Sequence, residues 1–397
     1  MLCPNHIVSV LIRIGIDASN LRAGGGLTHL VELLRAADPF THGFREIIVW
    51  SGSSTLAKIE PRSWLRKIHD PLLDRSVFHR VYWQRFRLER QAKKVGCDVL
   101  FVPGGSDASG FRPMVTMSRN LLPFEWKELR RYGCSRNTLR LLLLRWSQSR
   151  TFRKADAVIL LTQHAYDTVL KVTGDLSSRV AVVPHGIHAR FFKVPRRQRS
   201  INEFNAAQPV RVLYVSSVDL YKHQWHVAEA VAQLRSAGIP VVLDLVGPSG
   251  PGIGRLTQAL REVDPLGGFI TYWGAVPYEK LHEFYACADI GVFASSCENM
   301  PNILLEGMAA GLPLACSRRG PMPEMLGAAG VYFDPERPEE IAAAIRQLIE
   351  SAEYRAKLAE EAYQRAQAYS WQRCANETFE LLAQVAAKPV RSLADTA

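Results

Sequence analysis

The sequence predicts an α/β protein of two successive doubly wound domains, and three observations carry that expectation. The chain has 397 residues, too many for one ordinary core at roughly 150 residues per domain. Short β-branched runs alternate with helix-period stretches along its length, the pattern of parallel sheets covered by helices on both faces. The alternation stops once, over a polar stretch, and then begins again.

In the first half, strands are expected at 13–18, 46–50, 98–103, 114–117, 157–161 and 180–184. Their nearly continuous apolar character reads as burial on both faces. Residues 193–209 carry Pro195, arginines, Ser200, Asn202 and Asn205 with few apolar residues, and read as an interdomain linker. A second strand series follows at 210–216, 241–246, 269–273, 290–294, 312–316 and 330–333. Ligand sites belong where the carboxyl ends of such strands face a cleft. From 338 to about 384 the pattern is almost wholly helical, broken near 369–371, and the final helix is expected to pack across both domains. The domains therefore fall at 1–200 and 201–370, with 371–397 as a crossover helix and tail that loosens after Lys388.

Composition narrows the class. Hydrophobic residues make up 47% of the chain and charged residues 22%, which suits a globular protein with a sizeable core and argues against disorder. The net charge of +11 implies a negatively charged substrate, partner or surface. The cysteines are Cys3, Cys97, Cys134, Cys287, Cys297, Cys316 and Cys374. They form no C-x-x-C pair and read as reduced core residues of a cytoplasmic protein. The apolar amino end is interrupted by Arg13 and lacks a small-residue cleavage site, so it reads as no signal peptide. No apolar run approaches the ~20 residues that span a bilayer, so any membrane contact is expected to be peripheral.

Residues 290–324 are the most informative. An apolar strand ends in a polar loop holding Glu298, Asn299 and Met300, and Pro301 opens a helix at its first position, where the missing N–H costs nothing. The free backbone N–H groups of Asn302 and Ile303, with the helix dipole, suit a diphosphate. Ionised carboxylates only accept hydrogen bonds, so Glu306 in the helix suits ribose hydroxyls and Glu298 in the loop suits sugar hydroxyls. Gly311 and Pro313 end the helix and start the next strand.

Two glutamates with seven residues between them, Leu304 and Leu305 before Glu306, then Gly311, Pro313, Gly320, Pro323 and Glu324 resemble the donor site of the retaining glycosyltransferases of family 4. That family includes the group 1 enzymes of O-antigen and polysaccharide biosynthesis. The resemblance implies the GT-B fold: two Rossmann-like domains facing a cleft, an acceptor domain first and a nucleotide-sugar domain second, with a carboxyl-terminal helix crossing back to the first. Lys222, eight residues after Tyr214, matches the family lysine that neutralises the donor diphosphate, a role that suits a compact cation. Where the family often has a glycine and an arginine five or six residues before that lysine, this chain has Ser216 and Ser217, and the Ser217 hydroxyl is left to hydrogen-bond a donor oxygen without supplying charge. Gly24, Gly25 and Gly26 match a loop that faces the donor from the first domain, and their lack of Cβ lets the backbone approach a ligand. His185 and Gly186 match a loop near the hinge, with no chemistry assigned. Aligning on Pro123 and Phe124 places Arg119 and Asn120 where the family commonly has histidine and aspartate, as contacts to sugar or acceptor. Backbone near Val276 is implied to border the base.

The implied activity is retaining transfer of a hexose from a nucleoside diphosphate sugar, with GDP-mannose a first guess, to a glycan or polyprenyl-linked acceptor. Glu298 and Lys222 carry the catalytic roles, and no cofactor or metal is implied. His223 and His226 have helical spacing but no third ligand nearby. Residues 127–154 hold nine basic residues and one acid, Glu128, interleaved with leucines and Trp146. The stretch reads either as an amphipathic surface for anionic lipid or as a core-packed helix with a solvated basic face. No nucleic-acid module is recognisable. A sugar-nucleotide epimerase, which needs no acceptor, and a non-catalytic glycan-binding descendant are the rival readings.

Overall fold

The computed structural model describes residues 12–22, 24–176 and 178–387. Cys3, the amino end before Ile12 and the tail from Lys388 lie outside them. The chain clusters into two compact units, one holding residues up to Asn120, Arg140–Gly186 and the chain from Trp371, the other Leu121–Leu139 and Ile187–Ser370.

The first unit is built on a seven-stranded parallel sheet. Its strands are β1 (Ile12–Asp17), β2 (Phe44–Ser51), β3 (Leu65–His69), β4 (Val99–Val102), β5 (Met114–Met117), β6 (Ala157–Leu160) and β7 (Arg179–Val182), in the order β3-β2-β1-β4-β5-β6-β7. β4 and β6 are buried along their whole length, as their unbroken apolar sequences require, and so is β5, whose one polar residue, Thr116, donates its hydroxyl to Val102 O at 3.0 Å. β3 escapes sequence reading because Arg66, Lys67 and His69 break its apolar run, which an edge strand tolerates. The helix Trp371–Ala386 belongs to this unit and packs on the helix Gly25–Ala36. Phe379 lies edge-on to Phe44, their ring centroids 6.2 Å apart.

The second unit holds six parallel strands: β8 (Val210–Val215), β9 (Val241–Val246), β10 (Ile270–Gly274), β11 (Ile290–Phe293), β12 (Leu314–Ser317) and β13 (Val331–Phe333). Their order is β10-β9-β8-β11-β12-β13. In both sheets the order reverses beside the first strand, between β1 and β4 and between β8 and β11. Ligands of open α/β sheets bind outside the carboxyl ends of strands at such a reversal.

Three expectations need correction. The stretch 193–209 is strapped to the second unit: Arg196 and Arg199 both pair with the Asp289 carboxylate, and Lys193 N donates to Ala309 O. The basic residues of 127–154 do not share one helix. Gly133, at φ +56°, separates a short turn, Trp126–Tyr132, from the helix Arg136–Lys154. The cysteines are not uniformly core residues, because Cys134 and Cys287 are exposed and only Cys297, Cys316 and Cys374 are buried; all six described are free thiols.

Candidate active site

The loops leaving β8 and β11 meet at the reversal point of the second sheet, and each brings one charge. Lys222 lies in the first and is only 5% exposed. Glu298 lies in the second, and its carboxylate forms an ion pair with the Lys222 ammonium. The ammonium sits 5.1 Å from the Tyr221 ring centroid and 5.4 Å from that of Phe293, a geometry that attracts a cation. Tyr214, buried on β8, donates its hydroxyl to Lys222 O at 2.6 Å and so fixes the lysine backbone. The loop after β12 closes against this point: a Cβ on Gly320 would stand 3.8 Å from Glu298 N.

Downstream of Glu298, Asn299 and Met300 are buried, and the helix runs Asn302–Ala309. Pro301 is therefore its cap, not its first residue, because ψ of 99° keeps it extended. No side chain caps this helix, which leaves the amides of Asn302 and Ile303 directed beyond its first turn. Ser217 is exposed in the Lys222 loop, and its carbonyl accepts from Gln224 Nε2 at 2.8 Å.

Glu306 departs from its expected state. It is 4% exposed, and Tyr285 donates its hydroxyl to Oε2 at 3.1 Å. Burial lifts its pKa to about 7, against the opposing hydrogen bonds of Tyr285 and Tyr278. A side chain that is ionised only in part near neutrality is not the plain acceptor that the sequence suggests. Val276 is half-buried in the loop after β10, two residues before Tyr278, so the structure joins the Val276 loop to Glu306 through that tyrosine.

Behind Lys222 runs a network that sequence reasoning missed. His223, fully buried at φ +53°, meets Ser296 Oγ through Nε2 at 3.0 Å, and Ser296 donates to Glu128 Oε2 at 2.8 Å. Burial pushes the His223 pKa down to about 3, so its ring is neutral. Glu128 also pairs with Arg131 at 2.6 Å, and Arg131 with Glu336 at 2.8 Å. Tyr132 donates to Asp219 Oδ1 at 2.5 Å. The turn at 126–132 thus ties the Lys222 loop to the Glu298 loop from behind. The signal was present: Glu128 is the lone acid among nine cations, and a lone acid in such company marks a structural pairing. His226 Nδ1 lies 2.9 Å from Pro335 O, and its ring stacks on that of His223 with centroids 5.3 Å apart. Among the described residues no group of three or more metal-ligating side chains exists.

The first unit gathers its own candidates. Gly24, at φ +66°, caps the helix Gly25–Ala36 without side-chain help. A Cβ on Gly26 would come within 3.0 Å of Arg119 Nη1. Arg119 leaves the carboxyl end of β5 with Nε and Nη1 enclosed and without a hydrogen-bond partner, and burial pushes its pKa down to about 10. Asn120 beside it is exposed. His29, His185 and Trp371 pack around this point, with His29 and His185 ring centroids 4.7 Å apart. Burial, and then the Arg119 charge, holds His185 down to about 3. Neutral histidines around an unanswered guanidinium leave a net demand for an anion.

Residues 196–365 match the family described as Glycosyl transferases group 1, and residues 23–191 match Glycosyltransferase Family 4. Among curated proteins, the chain is 34% identical over 111 residues to the O-antigen chain mannosyltransferase B of Escherichia coli, covering 28% of this chain and 29% of that one. It is 28% identical over 232 residues to a GDP-mannose-dependent α-(1-6)-phosphatidylinositol dimannoside mannosyltransferase of Mycobacterium tuberculosis, covering 56% and 58%. The matched stretches thus span less than two thirds of these relatives. The fold is similar to that of sucrose-phosphate synthase from Thermosynechococcus elongatus, with a TM-score of 0.73 at 19% identity over 94% of this chain and 98% of that one.

Proposed function

The chain belongs to the group 1 glycosyl transferases, with the GT-B fold, and from that premise we propose that it transfers a hexose, with retention, from a nucleoside diphosphate sugar to a glycan or lipid-linked glycan. The observation that carries the reading is the Lys222–Glu298 pair at the carboxyl ends of β8 and β11. Lys222 and the uncapped start of Asn302–Ala309 take the diphosphate and stabilise it as it departs. Glu298 holds the sugar and faces the positive charge that develops at its anomeric carbon. Glu306 meets the ribose through its tyrosine-bound carboxyl group. Gly25, Gly26 and Arg119 form an anion-seeking patch suited to a phosphate, with Asn120 beside it for hydroxyls. GDP-mannose is the first donor to test, given the two mannosyltransferase relatives.

On this reading the acceptor lies at an anionic membrane surface, and one helix supports that part of the proposal. Among the described residues no helix is long and apolar enough to cross a membrane. The helix Arg136–Lys154, however, turns Leu139, Leu142, Leu143 and Trp146 outward. Trp146 is 65% exposed. These apolar side chains are not core-packed, and Arg136, Arg140, Arg150, Arg153 and Lys154 flank them as exposed cations. That arrangement suits the interface of an anionic bilayer.

The test is a panel of nucleoside diphosphate sugars assayed for acceptor-dependent release of the nucleoside diphosphate. Glu298→Gln is expected to lower turnover at least about a hundredfold. Unchanged turnover in that variant overturns the assignment.

A further inference from the structure

The segment Val77–Leu88 of the first unit crosses the carboxyl edge of its sheet and has two unlike faces. The inner face is closed: Trp83 and Leu88 are fully buried, and Trp83 Nε1 donates to Asp70 Oδ2 at 2.9 Å. Gln84, also buried, donates from Nε2 to Asp17 at the end of β1, to Ser19 Oγ at 3.2 Å and to Ser106 O beyond β4 at 3.4 Å. Arg80 Nη1 donates to Ser19 O at 3.3 Å.

The outer face carries Val77, Phe78, Val81, Tyr82 and Phe86, exposed by 45% to 82%. A step of four residues overshoots an α-helical turn of 3.6, so Phe78, Tyr82 and Phe86 would drift around a regular helix. The π-helical turn Gln84–Leu88 is wider and takes up that drift, and the Tyr82 and Phe86 rings lie against each other, tilted by 45° with centroids 4.9 Å apart. Monomeric soluble proteins rarely leave so large an apolar face uncovered without a use for it.

Charge identifies what covers it. Between Arg75 and Lys94 the chain has seven cations and one acid, Glu89. Arg75, Arg85, Arg87, Arg90, Lys93 and Lys94 are all exposed. Of these, Lys93 pairs with Glu89 and Arg87 with Asp70, and Arg85 lies 5.6 Å from the Phe86 ring centroid. An aromatic ridge edged by cations is complementary to the boundary between acyl chains and anionic headgroups. We infer that the Phe78–Tyr82–Phe86 face inserts into an anionic bilayer and sets the carboxyl edge of the first sheet, with its Gly24–Gly26 loop and Arg119, against the membrane surface. This rests on the reading of a membrane-borne acceptor and adds to it a second contact, separate from the helix Arg136–Lys154.

The experiment is flotation of the full chain with phosphatidylglycerol-containing vesicles. The variants are F78S/Y82S/F86S and, for the other helix, L142S/L143S/W146S. The aromatic variant is expected to bind about a hundredfold more weakly, from the transfer free energy of the lost rings, with its thermal melting unchanged because the rings are exposed. Should the triple variant melt early, Phe78→Asp alone, at the most exposed of these positions, serves instead and is expected to weaken binding at least about tenfold. Native flotation by the aromatic variants, with loss only in the leucine–tryptophan variant, overturns this inference and leaves the membrane reading standing. Failure of the native chain to float on any vesicle overturns both. A native dimer that the aromatic variant disperses, with flotation unchanged, makes the face a self-association surface and also overturns it.

Discussion

In the ligand-free chain Lys222 already has an anion, and a diphosphate that needs the same ammonium must displace Glu298. Replacing Glu298 by Gln keeps the shape and removes the competitor. Both side chains are nearly enclosed, 6% exposed for Lys222 and 14% for Glu298, so the pair is screened weakly. Breaking a buried pair by removing one partner costs about 3–5 kcal/mol, which predicts a less stable ligand-free protein. A unit charge 4 Å away at an effective dielectric of 20 is worth about 4 kcal/mol. If only a third of that is recovered when the competitor goes, the diphosphate binds about tenfold more tightly. The assay is calorimetric titration of the native chain and E298Q with GDP and UDP, without sugar, so that the role of Glu298 toward the sugar does not enter. The variant is expected to melt early, to bind the diphosphate at least about tenfold more tightly, and to recover its melting temperature when saturated. Unchanged or weaker binding would refute the reasoning, because Lys222 would then not be the group that the phosphates meet.

Two further outcomes follow from groups held in unusual states. Glu306 rises from 4.5 to about 7 on folding, so the fold favours its protonated form. The associated stability is fully present below pH 4.5 and is lost as pH climbs through 7, about 3 kcal/mol in all; denaturant unfolding at pH 5 and pH 8 is expected to show this slope in the native chain and a flatter one in Glu306→Gln. Arg119→Met removes a cation whose Nε and Nη1 are enclosed without a hydrogen-bond partner, and is expected to stabilise the ligand-free protein by about 1–2 kcal/mol while lowering acceptor-dependent turnover. A destabilised variant would show that the charge is answered within the fold.

The parallel strands were legible because a strand buried on both faces is apolar nearly throughout, and β4, β6 and β11 are wholly so, β5 all but Thr116. β3 was not, since an edge strand carrying Arg66, Lys67 and His69 has no such constraint. The site was legible where it is local: Glu298, Pro301 and Glu306 share one strand–loop–helix passage, and turn chemistry at Gly311 and Pro313 marks its end. The Lys222–Glu298 pairing needs contact across 76 positions, and the Ser296–Glu128 bond across 168; residue spacing cannot carry such information. The protonation of Glu306 depends on Tyr285, which closes over it from another helix. The aromatic ridge at 77–88 lay unread because its three- and four-residue steps are those of any core helix, and only the fold reveals which side faces out.

The route of the chain has a consequence for its biosynthesis. The first unit holds the earliest strands and also the last described helix, whose Cys374 lies 3.8 Å from His29 Nε2, while everything from Ile187 to Ser370 belongs to the other unit. A ribosome delivers the amino-terminal sheet first, yet one layer of it waits for Trp371–Ala386. The later unit can therefore close while the earlier one is still unfinished, and a nascent chain stopped before residue 371 would leave His29 and Phe44 without their cover.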